Sequence, residues 1–192
     1  MAVNMIGVIL AGGESRRFGS PKAFAKIGDQ YFYEIAYKNL EPVCQKVIIV
    51  TRDELLPLFP SHLLKIVDTV QFKGNGPLAG IYSAMIEELA EQYMVLPCDM
   101  PFLNRAILQR LCNVCSKSMV VAVRNEQHLY PLVGIWNRSV INIIYDHLQN
   151  NEKSVLHLLK KIDTTWVEAE YLTKNPSYYF QNLNQPLEER SE

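Results

Sequence analysis

Residues 10 to 22 read Leu-Ala-Gly-Gly-Glu-Ser-Arg-Arg-Phe-Gly-Ser-Pro-Lys. The apolar run from Met5 to Leu10 breaks at Gly12 and Gly13, and a cationic loop continues to Lys22. Two successive glycines remove the Cβ barrier to positive φ and let a ligand approach the main chain closely. Their N–H groups are then placed to face phosphate oxygens. Arg16, Arg17 and Lys22 add full positive charge, and arginine grips phosphate through two parallel hydrogen bonds. The chemistry this suits is the holding of a polyphosphate. A basic surface turn is the plain alternative, but a turn has no need of so many glycines and cations together.

The loop matches neither of two familiar phosphate motifs. A P-loop needs Gly, Lys and Ser/Thr as adjacent residues, and here Ser20 and Pro21 separate Gly19 from Lys22. A dinucleotide fingerprint needs G-x-G-x-x-G opening a helix, which Gly12, Gly13 and Gly19 do not supply.

Two aspartates follow apolar runs further along. Asp99 lies between Pro97 and Pro101. Mg²⁺ takes oxygen ligands and often only one or two carboxylates, with phosphate and water completing the octahedron. Asp99 suits that role, and equally that of a turn former. Asp68 ends the run Leu63 to Val67 and is placed to meet ribose, base or a second substrate, or simply to make a turn. The segment Gly76-Pro77-Leu78-Ala79-Gly80 reads as a helix start. Such a terminus attracts anions through free N–H groups, and since Pro77 has none the donors are Leu78 and Ala79. A helix start packed closely on a sheet is the other reading.

These candidates need a scaffold. With 192 residues, 48% of them hydrophobic, the chain suits one domain over residues 1–192 with a sizeable core. Buried strands are expected at Met5–Leu10, Lys46–Val50, Leu63–Val67, Tyr93–Leu96, Met119–Val123, Leu132–Trp136 and Asp163–Val167. Helices are expected at Tyr31–Leu40, Pro77–Ala90, from an Asn104 cap to about Cys115, Ser139–Leu148 and Ser154–Lys161, and Arg124 to His128 reads as a hairpin. Strand alternating with helix implies an α/β fold in three Rossmann-like layers, a mostly parallel sheet with helices on both faces. Ligands of such sheets bind beyond the carboxyl ends of the strands. The Gly12 loop, Asp68 and Asp99 all follow strands, so they are expected to share one rim.

The net charge of −1 argues against a nucleic-acid or membrane surface. No apolar stretch approaches a membrane span and no export signal is visible. Cys44, Cys98, Cys112 and Cys115 are irregularly spaced, which suits reduced thiols in a cytoplasm. Cys112 and Cys115 are read as two residues late on one helix face rather than a redox or zinc pair. His62, His128, His147 and His157 are scattered and read as surface or structural.

The pattern Leu10-Ala11-Gly12-Gly13-x-Ser15-x-Arg17-x-Gly19-x-x-Lys22 resembles the signature of nucleotidyltransferases with a GT-A-like α/β fold. Within them it is most similar to the molybdenum cofactor guanylyltransferases. Gly76 to Ile81, Leu96 to Phe102, Tyr130 to Gly134 and the tail Phe180-Gln181-Asn182-Leu183-Asn184-x-Pro186 extend the likeness over nearly the whole chain. Phe18 departs from it where the family often has Met, and Gln185 and Leu187 where it usually shows Thr and Glu.

The resemblance implies transfer of GMP from GTP to the terminal phosphate of molybdopterin, with release of pyrophosphate. It implies nucleotide contacts from Leu10, Ala11, Gly12, Gly13, Lys22, Asp68, Leu78, Ala79 and Asp99. Asp99 would hold Mg²⁺, and Lys22 would neutralise the departing pyrophosphate, with Arg17 assisting and Arg16 turned outward. Lys153, Ser154, Asn182 and Asn184 would meet the second substrate. A cofactor-delivery protein is admitted as a further partner. The same loop chemistry fits a cytidylyltransferase acting on this cofactor or on a sugar or alditol phosphate. A non-catalytic nucleotide-binding adaptor is the reading of another class; loss of Asp99 or Lys22 would have favoured it, and both are present.

Overall fold

The computed structural model describes residues 4–13 and 19–183. The readings placed on Ser15, Arg16, Arg17, Phe18, Asn184, Gln185, Pro186 and Leu187 lie outside those residues. In chain order the strands are β1 (Met5–Leu10), β2 (Lys26–Ile27), β3 (Gln30–Tyr31), β4 (Lys46–Thr51), β5 (Lys65–Val67), β6 (Gln92–Pro97), β7 (Val120–Arg124), β8 (Leu129–Asn137) and β9 (Thr164–Glu168). The helices are α1 (Phe32–Leu40), α2 (Pro77–Glu87), α3 (Arg105–Cys112), α4 (Ile141–Gln149), α5 (Val155–Lys161), α6 (Ala169–Leu172) and α7 (Pro176–Tyr179).

The main sheet has the order β5-β4-β1-β6-β8-β7-β9. Its pairings are parallel except where β8 runs against β6 and β7. β1 is an interior strand and nearly continuously buried, as a strand covered on both faces must be. Successive side chains of a strand point to opposite faces. Ile9, Ile49 and Met94 thus join one apolar cluster with Leu40 of α1 and Leu108 of α3. Val8, Ile48 and Val95 join the other with Leu78 of α2, Ile144 of α4 and Leu158 of α5. The seven-stranded sheet with helices on both faces is the expected α/β architecture.

Register sets the rim. Leu10 stands opposite Val50 and Pro97, and Thr51 opposite Val67. Four strands therefore end almost level, and Ala11 to Gly13, Arg52, Asp68 and Cys98-Asp99 emerge together. Gly80 lets α2 lie close beneath that rim, since a Cβ there would stand 3.0 Å from Leu10 Cδ2 and 3.2 Å from Val50 Cγ1.

Helix ends follow local chemistry. Glu34 accepts the Tyr31 N–H at 2.9 Å to start α1, which buries Phe32, Ala36 and Leu40 on one stripe. Asn104 Oδ1 accepts the Ile107 N–H at 3.1 Å to start α3, as expected of that cap.

Several boundaries differ from the sequence reading. α3 stops at Cys112, so Cys115 stands beyond the helix and the two cysteines do not share its face. α2 ends at Glu87 rather than Ala90. The short hairpin of β2 and β3, and the four-residue helices α6 and α7, were not expected. Residues 124–128 do form a hairpin, with the Asn125 N–H donating to the His128 carbonyl at 2.9 Å.

Candidate active site

A cavity of about 970 Å³ opens at the carboxyl ends of β1, β4, β5 and β6. Leu10 to Gly13 and Lys22 line one side, Arg52 to Glu54 a second, and Asp68, Lys73 and Gly74 a third; Gly76, Pro77 and Gly80 of α2 with Cys98, Asp99 and Leu132 complete it. Thus Leu10, Ala11, Gly12, Gly13, Lys22, Asp68 and Asp99 converge as expected.

Lys22 opens a 3₁₀ turn, Lys22–Phe24, that rings hold in place. Phe24 packs against Tyr33 with centroids 5.5 Å apart and against Phe59 at 4.7 Å. From this anchored turn Lys22 Nζ reaches Asp99 Oδ2 at 3.0 Å. Their side chains are only 17% and 24% exposed, so water screens the pair weakly. The Cys98 N–H donates to the Leu10 carbonyl at 3.1 Å, which carries the β1–β6 pairing one residue past the strand and brings Asp99 to the Gly12 side. Burial, and next the Asp99 charge, push the Cys98 thiol up to about 12, so it stays protonated.

Asp68 Oδ2 accepts the Gly74 N–H at 3.0 Å. Burial raises its carboxyl above the ordinary carboxylate value, opposed by that hydrogen bond and by the Lys73 charge. The next residue is tied to α2: the Thr69 N–H donates to Ser83 Oγ at 2.8 Å, and the Ser83 hydroxyl donates to the Ala79 carbonyl at 2.7 Å.

The glycine reading needs correction. The chain leaves β1 without positive φ at Gly12 or Gly13; the glycines of this site that have it are Gly74 (+74°) and Gly76 (+77°). What Gly13 supplies is space, since a Cβ there would meet nothing within 4 Å.

Of the helix-start donors Leu78 and Ala79, the amide reading is corrected at Ala79. Both are fully buried in the core and neither lines the cavity. The Ala79 N–H is taken up within the first helical turn by the Gly76 carbonyl at 3.1 Å. Gly76, Pro77 and Gly80 present the cavity wall instead.

Of the second-substrate candidates, Lys153, Ser154 and Asn182 lie outside the cavity lining. Lys153 and Ser154 are exposed between α4 and α5, where Ser154 Oγ accepts the His157 N–H at 3.2 Å as a helix cap. Asn182 is exposed beside Leu183, whose N–H donates to the Asp99 carbonyl at 2.9 Å, so the tail does reach the Asp99 turn. None of the four histidines lines the cavity; His147 is buried with Nδ1 2.8 Å from Glu152.

Sequence reasoning missed Arg52, Asp53, Glu54 and Lys73. Arg52 Nη1 pairs with Glu54 at 3.0 Å, and Lys73 Nζ with Asp53 at 2.6 Å, linking two loops at the cavity wall. Arg52 Nε is buried without a hydrogen-bond partner among the described residues. The rule that singled out Asp68 and Asp99, position just past a strand, would have found Arg52 too.

A family model described as "MobA-like NTP transferase domain" matches residues 7–165. The chain belongs to this family of MobA-like NTP transferases. A relative from Geobacillus sp. named "Probable molybdenum cofactor guanylyltransferase" is 36% identical over 187 residues, 96% of this chain and 95% of the relative. A relative of the same name from Halalkalibacterium halodurans is 36% identical over 190 residues, 96% of this chain and 95% of its own length. Among solved structures, molybdopterin-guanine dinucleotide biosynthesis protein A from Archaeoglobus fulgidus superposes with a TM-score of 0.77 at 22% identity, covering 94% of this chain and 93% of that one. That last likeness is one of fold. No helix among the described residues is long and apolar enough to cross a membrane.

Proposed function

We propose that this MobA-like transferase moves GMP from GTP onto the terminal phosphate of molybdopterin. The observation that carries the reading is the Lys22–Asp99 pair at 3.0 Å on the wall of a nucleotide-sized cavity. The names of its curated relatives support guanylyl transfer over the cytidylyl alternative.

In the proposed reaction an oxygen of the acceptor phosphate attacks the α-phosphorus of GTP. A new phosphorus–oxygen bond forms, the bond to the β-phosphate oxygen breaks, and pyrophosphate leaves with the electron pair. The acceptor oxygen is already anionic, so neither a side-chain nucleophile nor a strong general base is needed. The barrier lies in bringing anions together and in the charge growing on the leaving group. Lys22 would neutralise that charge from its ring-anchored turn, and Arg17 would assist. The missing Cβ at Gly13 would let the triphosphate lie close to the chain there. Asp68 would accept hydrogen bonds from the ribose or the base.

The donor set fits Mg²⁺ of the kind that arrives with a nucleotide. No cluster of three metal-ligating side chains is present among the described residues, but Asp99 offers a carboxylate at the cavity, and Mg²⁺ readily takes its other ligands from phosphate and water. Bound there, Mg²⁺ would screen the triphosphate charge. Lys153 and Ser154 remain the proposed contacts of the pterin phosphate, Asn182 and Asn184 further proposed contacts of the second substrate, and a delivery protein the proposed recipient of the product. Four free cysteines suit a reducing cytoplasm.

The test is a nucleotide panel with purified protein and molybdopterin, scored by pyrophosphate release with Mg²⁺ and after chelation. Turnover with GTP that chelation abolishes is expected. Turnover with CTP instead would establish the cytidylyl reading, and GTP binding without turnover the adaptor reading.

A further inference from the structure

The C-terminal segment meets the Asp99 turn at two points. The rings of Phe102 and Tyr178 lie with centroids 4.9 Å apart. The Leu183 N–H donates to the Asp99 carbonyl at 2.9 Å. Between these contacts the buried Phe180 packs on Tyr130 of β8 with centroids 5.0 Å apart. Leu183 is fully buried, although residues 181–183 belong to no helix or strand. A coil segment has no ladder of its own to hold it, so side-chain burial and a few main-chain bonds must do so.

The Asp99 peptide is therefore fixed from two directions. On its N-terminal side the Cys98 N–H is bound to Leu10 of β1, and on its C-terminal side the Asp99 carbonyl is bound by Leu183. The carboxylate meanwhile faces Lys22. We infer that Leu183 is a positioning residue, whose main-chain N–H fixes the Asp99 peptide and through it the aim of the carboxylate into the cavity. The inference rests on the role proposed for Asp99. It gives the tail a part in the transfer step that is separate from whatever its asparagines bind.

The test compares GMP transfer by the parent, L183P, which removes the N–H, and L183M, which keeps it at similar volume. A misplacement of about 1 Å can cost about a hundredfold in rate, so L183P is expected to lower kcat by about tenfold or more. The KM for GTP should rise by no more than the loss in metal affinity, because the cavity's other nucleotide contacts stay in place. L183M should return kcat to within about threefold of the parent, since volume-conserving swaps are well tolerated. L158A, in α5 on the other face of the sheet, lowers stability without touching this segment and is expected to keep kcat.

Electron paramagnetic resonance of Mn²⁺ with GTP, without acceptor, supplies a second readout, and L183P should weaken Mn²⁺ binding. If L183P does not fold, an ester at position 183, introduced by ligating a synthetic tail, removes the N–H alone and is read the same way. Unchanged kcat and Mn²⁺ affinity in the variant lacking the N–H overturn the inference, as does an equal loss in L183M or L158A. An inactive parent would reject the proposed function instead, and the Mn²⁺ comparison would still decide the role of Leu183.

Discussion

Lys22 and Asp99 are 77 residues apart in the chain and 3.0 Å apart in space. One stands on a turn pinned by Phe24 and the other just past β6, so their meeting is a product of the sheet and not of local sequence. Asp99→Asn keeps the shape and removes the charge. It is expected to lower GMP transfer by about a hundredfold or more, as loss of a preorganised electrostatic group does. Loss of the carboxylate charge facing Lys22 should cost about 1.5–3 kcal/mol of stability, the range for hydrogen bonds to charged groups. Steady-state rates and urea melts measure both, and a near-parental rate would remove Asp99 from the mechanism.

Asp68 predicts a pH dependence. Its carboxyl titrates above its ordinary value of 3.8 in the folded chain, chiefly through burial. The folded state then binds the proton more tightly than the unfolded state, so this group's contribution to stability falls as pH rises from 3.8 through the raised value. Asp68→Asn removes that term while keeping an oxygen for the Gly74 N–H. The difference between parental and variant melting temperatures should therefore shift in the variant's favour as pH rises across that window. GTP affinity of the parent should weaken as pH falls through the same window, while that of the variant stays flat. Parallel melting curves would show that the Asp68 charge is not strained by burial.

The rim was legible because its strands are short, apolar and β-branched. Lys46 to Val50 and Tyr93 to Leu96 announce themselves, and each run stops where a chemically able residue begins. The parallel register that levels those ends follows from the alternation of strand and helix. Other features leave no such trace. β2 and β3 are two residues each and have no period to read. α6 and α7 are single turns held by packing rather than propensity. A helix start at Pro77 was readable, but only coordinates reveal that the Ala79 amide closes the first turn and that its side chain is under the sheet. Arg52, Asp53 and Glu54 were passed over in the sequence, although Arg52 stands just past a strand. Their relation to Lys73 depends on an ion pair across 20 positions that no local rule anticipates.

Gly80 sets the spacing between α2 and the rim. A Cβ there would stand 3.0 Å from Leu10, 3.2 Å from Val50 and 3.7 Å from Asp68 Oδ1. Gly80→Val adds branched atoms that these neighbours cannot all evade. The expected cost is about 1–3 kcal/mol from overpacking, lessened by the better helix propensity of a residue other than glycine. Because Leu10 and Asp68 both line the cavity, the KM for GTP should rise more than kcat falls. Thermal melts and steady-state kinetics on one preparation test this, and unchanged stability would mean that α2 is free to move outward.

Cys98 lies on the cavity wall beside Asp99 and invites a catalytic reading that its environment opposes. Burial raises the thiol to about 12, and the adjacent carboxylate acts in the same direction against the weaker pull of Lys22. A thiol is nucleophilic only as thiolate, so at neutral pH Cys98 should be inert. Cys115 is exposed and should react. Iodoacetamide at pH 8 is expected to modify Cys115 promptly in the folded protein and Cys98 only after denaturation, which peptide mass spectrometry reads directly. Cys98→Ala should keep transfer within about threefold of the parent and lose about 1 kcal/mol of stability, as deletion of a small buried group does. A rate loss well beyond that, with stability retained, would place the sulfur in the chemistry and require the transfer mechanism to be rewritten around it.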